Sequence, residues 1–178
     1  MTTLLLFVML ATAQRTSAQS FADRCDLQGV YDEFSQATLS SHTPADIDLF
    51  HDVFDAPNIV IIDVHGERHD WNAIRDARVK ALSEPPTELR QIIETLTITA
   101  DGAVATVHVI TMRRITDAKG AYGLPGVTHT IANVTPMKDT WIKTPVAWRL
   151  QTREQLGATD VLIDKEPYEL WHPKCPSH

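Results

Sequence analysis

One change of period divides the chain. Up to about Leu82 the apolar residues recur at helical spacing, and from Thr87 to Leu156 they run in alternating or β-branched blocks. Leu27, Val30, Tyr31, Phe34 and Ala37 mark one face of a helix over Phe21–Ser40, which Gly29 weakens by about 1 kcal/mol relative to alanine. Thr43-Pro44-Ala45-Asp46 reads as a second start, with Thr43 as N-cap and Pro44 at the first helical position. That helix carries Ile47, Phe50 and Phe54 and stops ahead of Pro57, because a residue before proline avoids the helical region. Asn58–Val64 is then a short strand and His65–His69 a loop, after which Asp70 caps a third helix from Trp71 to about Leu82.

Beyond Pro85-Pro86 the elements are strands. Leu89–Thr99 and Ala103–Ile115 are joined by Ala100-Asp101-Gly102, and Asp-Gly between apolar runs is a hairpin signal. The glycine-bearing loop Thr116–Gly126 leads into Val127–Ile142. Thr144-Pro145 interrupts that strand, and Val146–Leu150 resumes with Val146, Trp148 and Leu150 on one side. A last short element is expected at Asp160–Ile163. Helices first and a strand meander after is an α+β order. It predicts three N-terminal helices packed on a curved, mainly antiparallel sheet, with a cone-shaped pocket between sheet and first helix.

The 178 residues suit one domain, and 43% apolar with 22% charged residues suits a folded one. A formal charge of −7 without any basic run argues against nucleic acid as a partner, and Arg113-Arg114 reads as a solvated strand end. Leu4–Ala11 is a short apolar run followed by small residues, the pattern of a secretory signal peptide. It is too short to span a bilayer, and no later segment is apolar enough to do so. Residues 1–18 are therefore read as a leader, with cleavage after Ala18 or Ala13; an N-terminal anchor is the alternative if it stays uncleaved. The mature domain, 19–178 with a Pro-rich tail, is expected to be secreted or periplasmic and free of the membrane. Cys25 and Cys175 are either one disulfide or two unrelated thiols; closing so long a loop contributes up to about 4–5 kcal/mol in the chain-entropy treatment.

Four residues are candidates for acid–base chemistry. Asp139 sits one residue from Thr140 and two from Trp141 on an apolar strand, where a carboxylate needs solvent or hydrogen-bond partners. It is either a buried proton donor or a brace bonded to backbone or Arg149. Asp63 ends a strand, as a base or as a solvated terminus. His108 is mid-strand and His129 near the start of the next, either in a pocket or ordinary hydrogen-bonded histidines. Asp63, His65, His69 and Asp70 form the one metal-like cluster, but His-x-x-x-His suits zinc on a helix and Gly66 argues for a loop, so no metal is assigned. Asn133-Val134-Thr135 matches a glycosylation sequon on a strand expected to be buried. No phosphate-binding glycine loop or nucleophile elbow is present, and no cofactor is expected.

Tyr31-x-x-Phe34, Asp48-Leu49-Phe50-x-x-x-Phe54, the strand Asn58–Asp63 before Gly66, and Asp139-Thr140-Trp141-Ile142-Lys143 followed by Trp148-Arg149-Leu150 together resemble the nuclear-transport-factor-2-like (NTF2-like) superfamily, in its SnoaL-like and ketosteroid-isomerase-like branches. The likeness spans about Phe21 to Leu156. It implies a cone-like α+β barrel, often a homodimer through the outer face of the sheet. It also implies Asp63 in the position of a catalytic base and Asp139 in that of an oxyanion carboxyl. The isomerase tyrosine falls nearer Phe34 than Tyr31, one helical turn away. Tyr31, Phe34, Trp71, Met112, Trp141 and Trp148 are expected to wall the pocket. The leading functional expectation is an exported binder of a small, mainly apolar molecule. The alternatives are a cofactor-independent isomerase, cyclase or dehydratase using Asp63, Asp139 and a histidine, and a non-catalytic dimerisation module.

Overall fold

In the computed structural model, which describes residues 22–165, helix α1 occupies 22–40 and is followed by α2, Pro44–Phe54. Thr43 and Asp46 form a reciprocal capping box: the Thr43 hydroxyl accepts from the Asp46 backbone, and the Asp46 carboxylate accepts from the Thr43 backbone. Strand β1, Asp55–Ile62, begins directly after α2, three residues earlier than the sequence suggests. Asp55 pairs with Leu150, and the ladder resumes only at Val60, so Pro57 sits in an irregularity where no ladder donor is needed. The segment read as a loop contains β2, Arg68–His69, folded back on β1 through Gly66 at φ +83°. Asp70 caps α3, Trp71–Ala81, by accepting from the Ala73 backbone.

The long strands follow as read: β3, Glu88–Ile98; β4, Gly102–Asp117; β5, Val127–Lys143; β6, Trp148–Gln155. The strand β7, Asp160–Ile163, continues along the edge of β5 beyond the end of β6. The sheet order is β2-β1-β6-β5-β4-β3, antiparallel throughout except for the parallel β1–β6 pair. Two irregularities set which side chains face inward. Glu94 is an extra residue in β3 against β4, and Gln151 is an extra residue in β6 against β5.

The helices cover the inner face of the sheet. Leu27, Tyr31 and Phe34 of α1, Phe50 and Phe54 of α2, and Trp141, Trp148 and Leu150 of the sheet form one buried cluster. Phe34 and Phe50 meet edge to face, with centroids 4.6 Å apart. A smaller cluster of Ile110, Met112, Ala132 and Val134 lies on the opposite face, partly covered by Leu162 of β7. Along the β3 edge, Arg24 donates to the Ile93 carbonyl and Gln28 to the Gln91 carbonyl. The helix thereby satisfies acceptors that an edge strand would leave open. Cys25 is buried; Cys175, the Pro-rich tail and the expected leader lie outside the described residues.

Two glycines separate helix propensity from close approach. A Cβ on Gly102 would lie 2.2 Å from the Trp141 carbonyl oxygen, whereas one on Gly29 meets nothing within 4 Å. Gly102→Ala is therefore expected to lower stability by about 1–3 kcal/mol through backbone displacement at the β4–β5 pair. Gly29→Ala is expected to raise it by about 0.5–1 kcal/mol. Urea titrations of the two variants read both, and a stabilising Gly102→Ala would contradict the tight β4–β5 approach.

Candidate functional site

Helix periodicity places Tyr31 and Ser35 on the inner face of α1, where they meet groups from three strands. The Tyr31 hydroxyl donates to Asp139 Oδ2 at 2.8 Å and accepts from Trp141 Nε1 at 2.8 Å. Arg153 grips the same carboxylate with two donors, Nε to Oδ1 at 2.8 Å and Nη2 to Oδ2 at 2.7 Å. Its Nη2 also donates to Gln91 Oε1, whose amide donates to the Ser35 hydroxyl, which in turn donates to the Tyr31 carbonyl. Asp139 is wholly buried, so it meets the demand for partners that its place on an apolar strand imposed. The arginine is Arg153 rather than Arg149, which bonds instead to the Asp52 carbonyl.

The electrostatics follow from burial. Desolvation, reinforced by the Asp139 charge, pushes the Tyr31 phenol well above its ordinary value. Burial alone would lower the Arg153 guanidinium; the Asp139 carboxylate more than offsets this and holds it above its usual range. Sequence reading missed Arg153 for a definable reason. With Trp148 and Leu150 inside, strict alternation sends Arg153 outward, and the extra residue Gln151 returns it to the inner face.

Above this network lies a cavity of about 330 Å³ between the sheet and the helices. Phe34, Phe50, Ile61, Leu89, Val109 and Met137 supply its apolar walls, and Ala81, Leu82 and Pro85-Pro86 border it from the end of α3. The charged lining residues are Arg153 and Arg78. Arg78 is held from behind by Asp55, at 2.7 Å from Nη1 to Oδ2, and its guanidinium lies 4.7 Å from the Phe50 ring centre. His51 also reaches Asp55, at 3.3 Å, and stacks on Trp71 with centroids 3.7 Å apart.

Of the residues expected to wall the pocket, Phe34 borders this cavity. Tyr31 and Trp141 lie beneath it in the core, and Trp148 is buried with the Lys143 ammonium 5.1 Å from its ring centre. Trp71 stands at the start of α3 against His51. Met112 packs on the opposite face of the sheet, because β4 alternation that turns Val109 inward turns Met112 outward. His108 shares that outer side and pairs with Glu94 at 3.4 Å.

The acid–base candidates occupy separate places. Asp63 Oδ1 accepts from the backbones of His65 and Glu67, and its Oδ2 meets His69 at 3.3 Å. Burial works to raise the Asp63 carboxyl, yet these bonds hold it below the ordinary carboxylate range. Asp63, Glu67 and His69 bring ligand atoms within 4.8 Å of one another; His65 and Asp70 are not in that group. His129 Nδ1 pairs with Asp164 Oδ2 at 2.6 Å, and its Nε2 is buried without a partner among the described residues. Ten residues of one strand, roughly 30 Å, separate His129 from Asp139.

A helix-backed curved sheet holding a cavity on its inner face defines a cone-shaped α+β class. The fold is NTF2-like. A protein from Planctomyces limnophilus, described as conserved, is similar at a TM-score of 0.55 with 12% identity, covering 79% of this chain and 98% of that one. A protein of unknown function from Mycobacterium tuberculosis is similar at 0.52 with 13% identity, covering 81% and 75%. An NTF2-like family protein from Streptomyces avermitilis is similar at 0.50 with 9% identity, covering 77% and 95%. No protein-family model and no curated protein matches the sequence.

Tyr31→Phe removes one hydroxyl from two buried partners, which is expected to cost about 1–3 kcal/mol at neutral pH. The folded-state phenol is raised above its unfolded value near 10, so its contribution is intact below that pH and is lost as pH rises toward the folded value. Thermal melts at pH 8 and pH 11 should therefore show the gap between wild type and Tyr31→Phe narrowing at the higher pH. A gap that is constant or widens would contradict a buried, neutral phenol bonded to Asp139.

Proposed function

We propose that the protein binds a small, mainly apolar molecule in the cavity between α1 and the sheet. The observation that carries this reading is the 330 Å³ space itself, apolar on its walls and bordered by a few convergent polar groups, the usual make-up of a small-molecule site. Acid–base catalysis through Asp63, Asp139, His108 and His129 is less well supported. These four do not line the cavity, and both Asp139 oxygens are engaged by Tyr31 and Arg153. A general base also works best near the operating pH, and Asp63 is displaced away from it.

Export, a Cys25–Cys175 bridge and a homodimer through the outer sheet face belong to the same proposal. The apolar segment Leu4–Ala11 supports the first, and the buried position of Cys25 suits the second. The third rests on the family resemblance alone, because Ile110 and Met112 on the outer face are already buried within the chain. Among the described residues no helix is long and apolar enough to cross a membrane.

Native mass spectrometry of the chain gently purified from its own host reads the ligand, the leader and the dimer in one spectrum. The expected result is a retained organic molecule, the mass of a chain starting after Ala18 or Ala13, and a dimer. Ala81→Trp tests the site, because residue 81 is exposed at the cavity border and a large ring there fits without disturbing the core. That variant should fold with an unchanged melting temperature and lose the retained molecule. Retention equal to wild type would place the ligand elsewhere and overturn the cavity reading.

A further inference from the structure

Resting on the binding reading, we infer that the ligand carries a carboxylate whose oxygens are taken by Arg153 at the base of the cavity. Among the described residues, the charged ones lining the space are two arginines, and no aspartate or glutamate lines it. In a chain of net charge −7 that local sign is the reverse of the whole. The carboxylates that balance the arginines, Asp139 and Asp55, have fully buried side chains behind them. An incoming molecule thus meets guanidinium first and carboxylate second.

The donor count on Arg153 sharpens this. Nε and Nη2 are committed to Asp139 and Gln91, while Nη1 makes no hydrogen bond with any described residue. A guanidinium held rigid on two of its three nitrogens presents the third in a fixed direction, so little side-chain entropy is lost when it binds. Apolar walls keep the local dielectric low, which strengthens attraction to an anion and repulsion of a cation. Arg78 adds a second positive group, with no competing acid among the described lining residues. Apart from Thr38, Ser41, Gln91 and Thr111 the rest of the lining is apolar, so the body of the ligand is mainly apolar. The 330 Å³ space has room for roughly ten water-sized groups at ~30 Å³ each. A medium-length monocarboxylic acid has that size and shape.

Calorimetric titration of the full chain with octanoate, 1-octanol and octylammonium at pH 7.5 separates the possibilities, because the three share one apolar body. Octanoate should bind at least about tenfold more tightly than 1-octanol, and octylammonium most weakly. If octanol binds as well as octanoate, the carboxylate inference is overturned while the apolar binder stands. If none of the three binds and native spectra of host-purified protein are also empty, the binding reading itself falls. The paired variant Asp139→Asn with Arg153→Gln removes both charges together and leaves no buried charge uncompensated. It should erase the preference, bringing the octanoate and octanol affinities of the variant to within about twofold of each other. A preference that survives the paired variant overturns the assignment to Arg153. Should the variant not fold, the comparison of the three ligands on wild type still decides the inference.

Discussion

The bidentate pair between Asp139 and Arg153 joins β5 to β6 below the cavity, and most of the described polar interior is attached to it. Asp139 alone on an apolar strand would be a buried charge without a partner. Arg153 neutralises it, Tyr31 ties it to α1, and Trp141 closes the remaining acceptor on the phenol. Gln91 and Ser35 extend the chain of bonds to β3 and back to the helix. A buried network of this kind, satisfied among the described residues except at Arg153 Nη1, adds little stability over an apolar core of the same volume, but it is intolerant of any other arrangement. It therefore fixes how α1 lies across the sheet, and with it the width of the cavity.

A second buried pair repeats the device on the other side. Asp55, at the first position of β1, receives Arg78 from α3 and His51 from α2. Three elements meet at one carboxylate, and the Arg78 guanidinium is pressed against the Phe50 ring. In both pairs the acid faces the core and the arginine faces the cavity. Two of the buried carboxylates thus hold arginines at the cavity wall.

Much of the fold was legible because it rests on local signals. The Thr43–Asp46 capping box, the Asp70 cap, the Asp101-Gly102 turn and the alternation in β3 to β5 each carry their information within a few residues. Asp139 was legible as an anomaly, a charged residue on an apolar strand. What stayed hidden depends on register. Arg153 faces inward because Gln151 is bulged, and bulges leave no mark on a hydrophobic pattern. Met112 and His108 faced outward because only the pairing of β4 with its neighbours tells the two sides apart. Arg78 falls within the third helix that the sequence predicts, but its reach across to Asp55 is a tertiary contact of 23 residues' separation that no local pattern shows.

A double-mutant cycle on Asp139→Asn and Arg153→Gln tests the central interaction most directly, read as unfolding free energies from urea titration at neutral pH. Each single change leaves one buried charge without its partner, and each is expected to cost roughly 3–5 kcal/mol. The pair should cost clearly less than the two single changes summed, with a coupling of about 2–3 kcal/mol. Single effects that add to within ~0.5 kcal/mol would mean that the two side chains act independently, and the network would not hold the helix, the sheet and the cavity together.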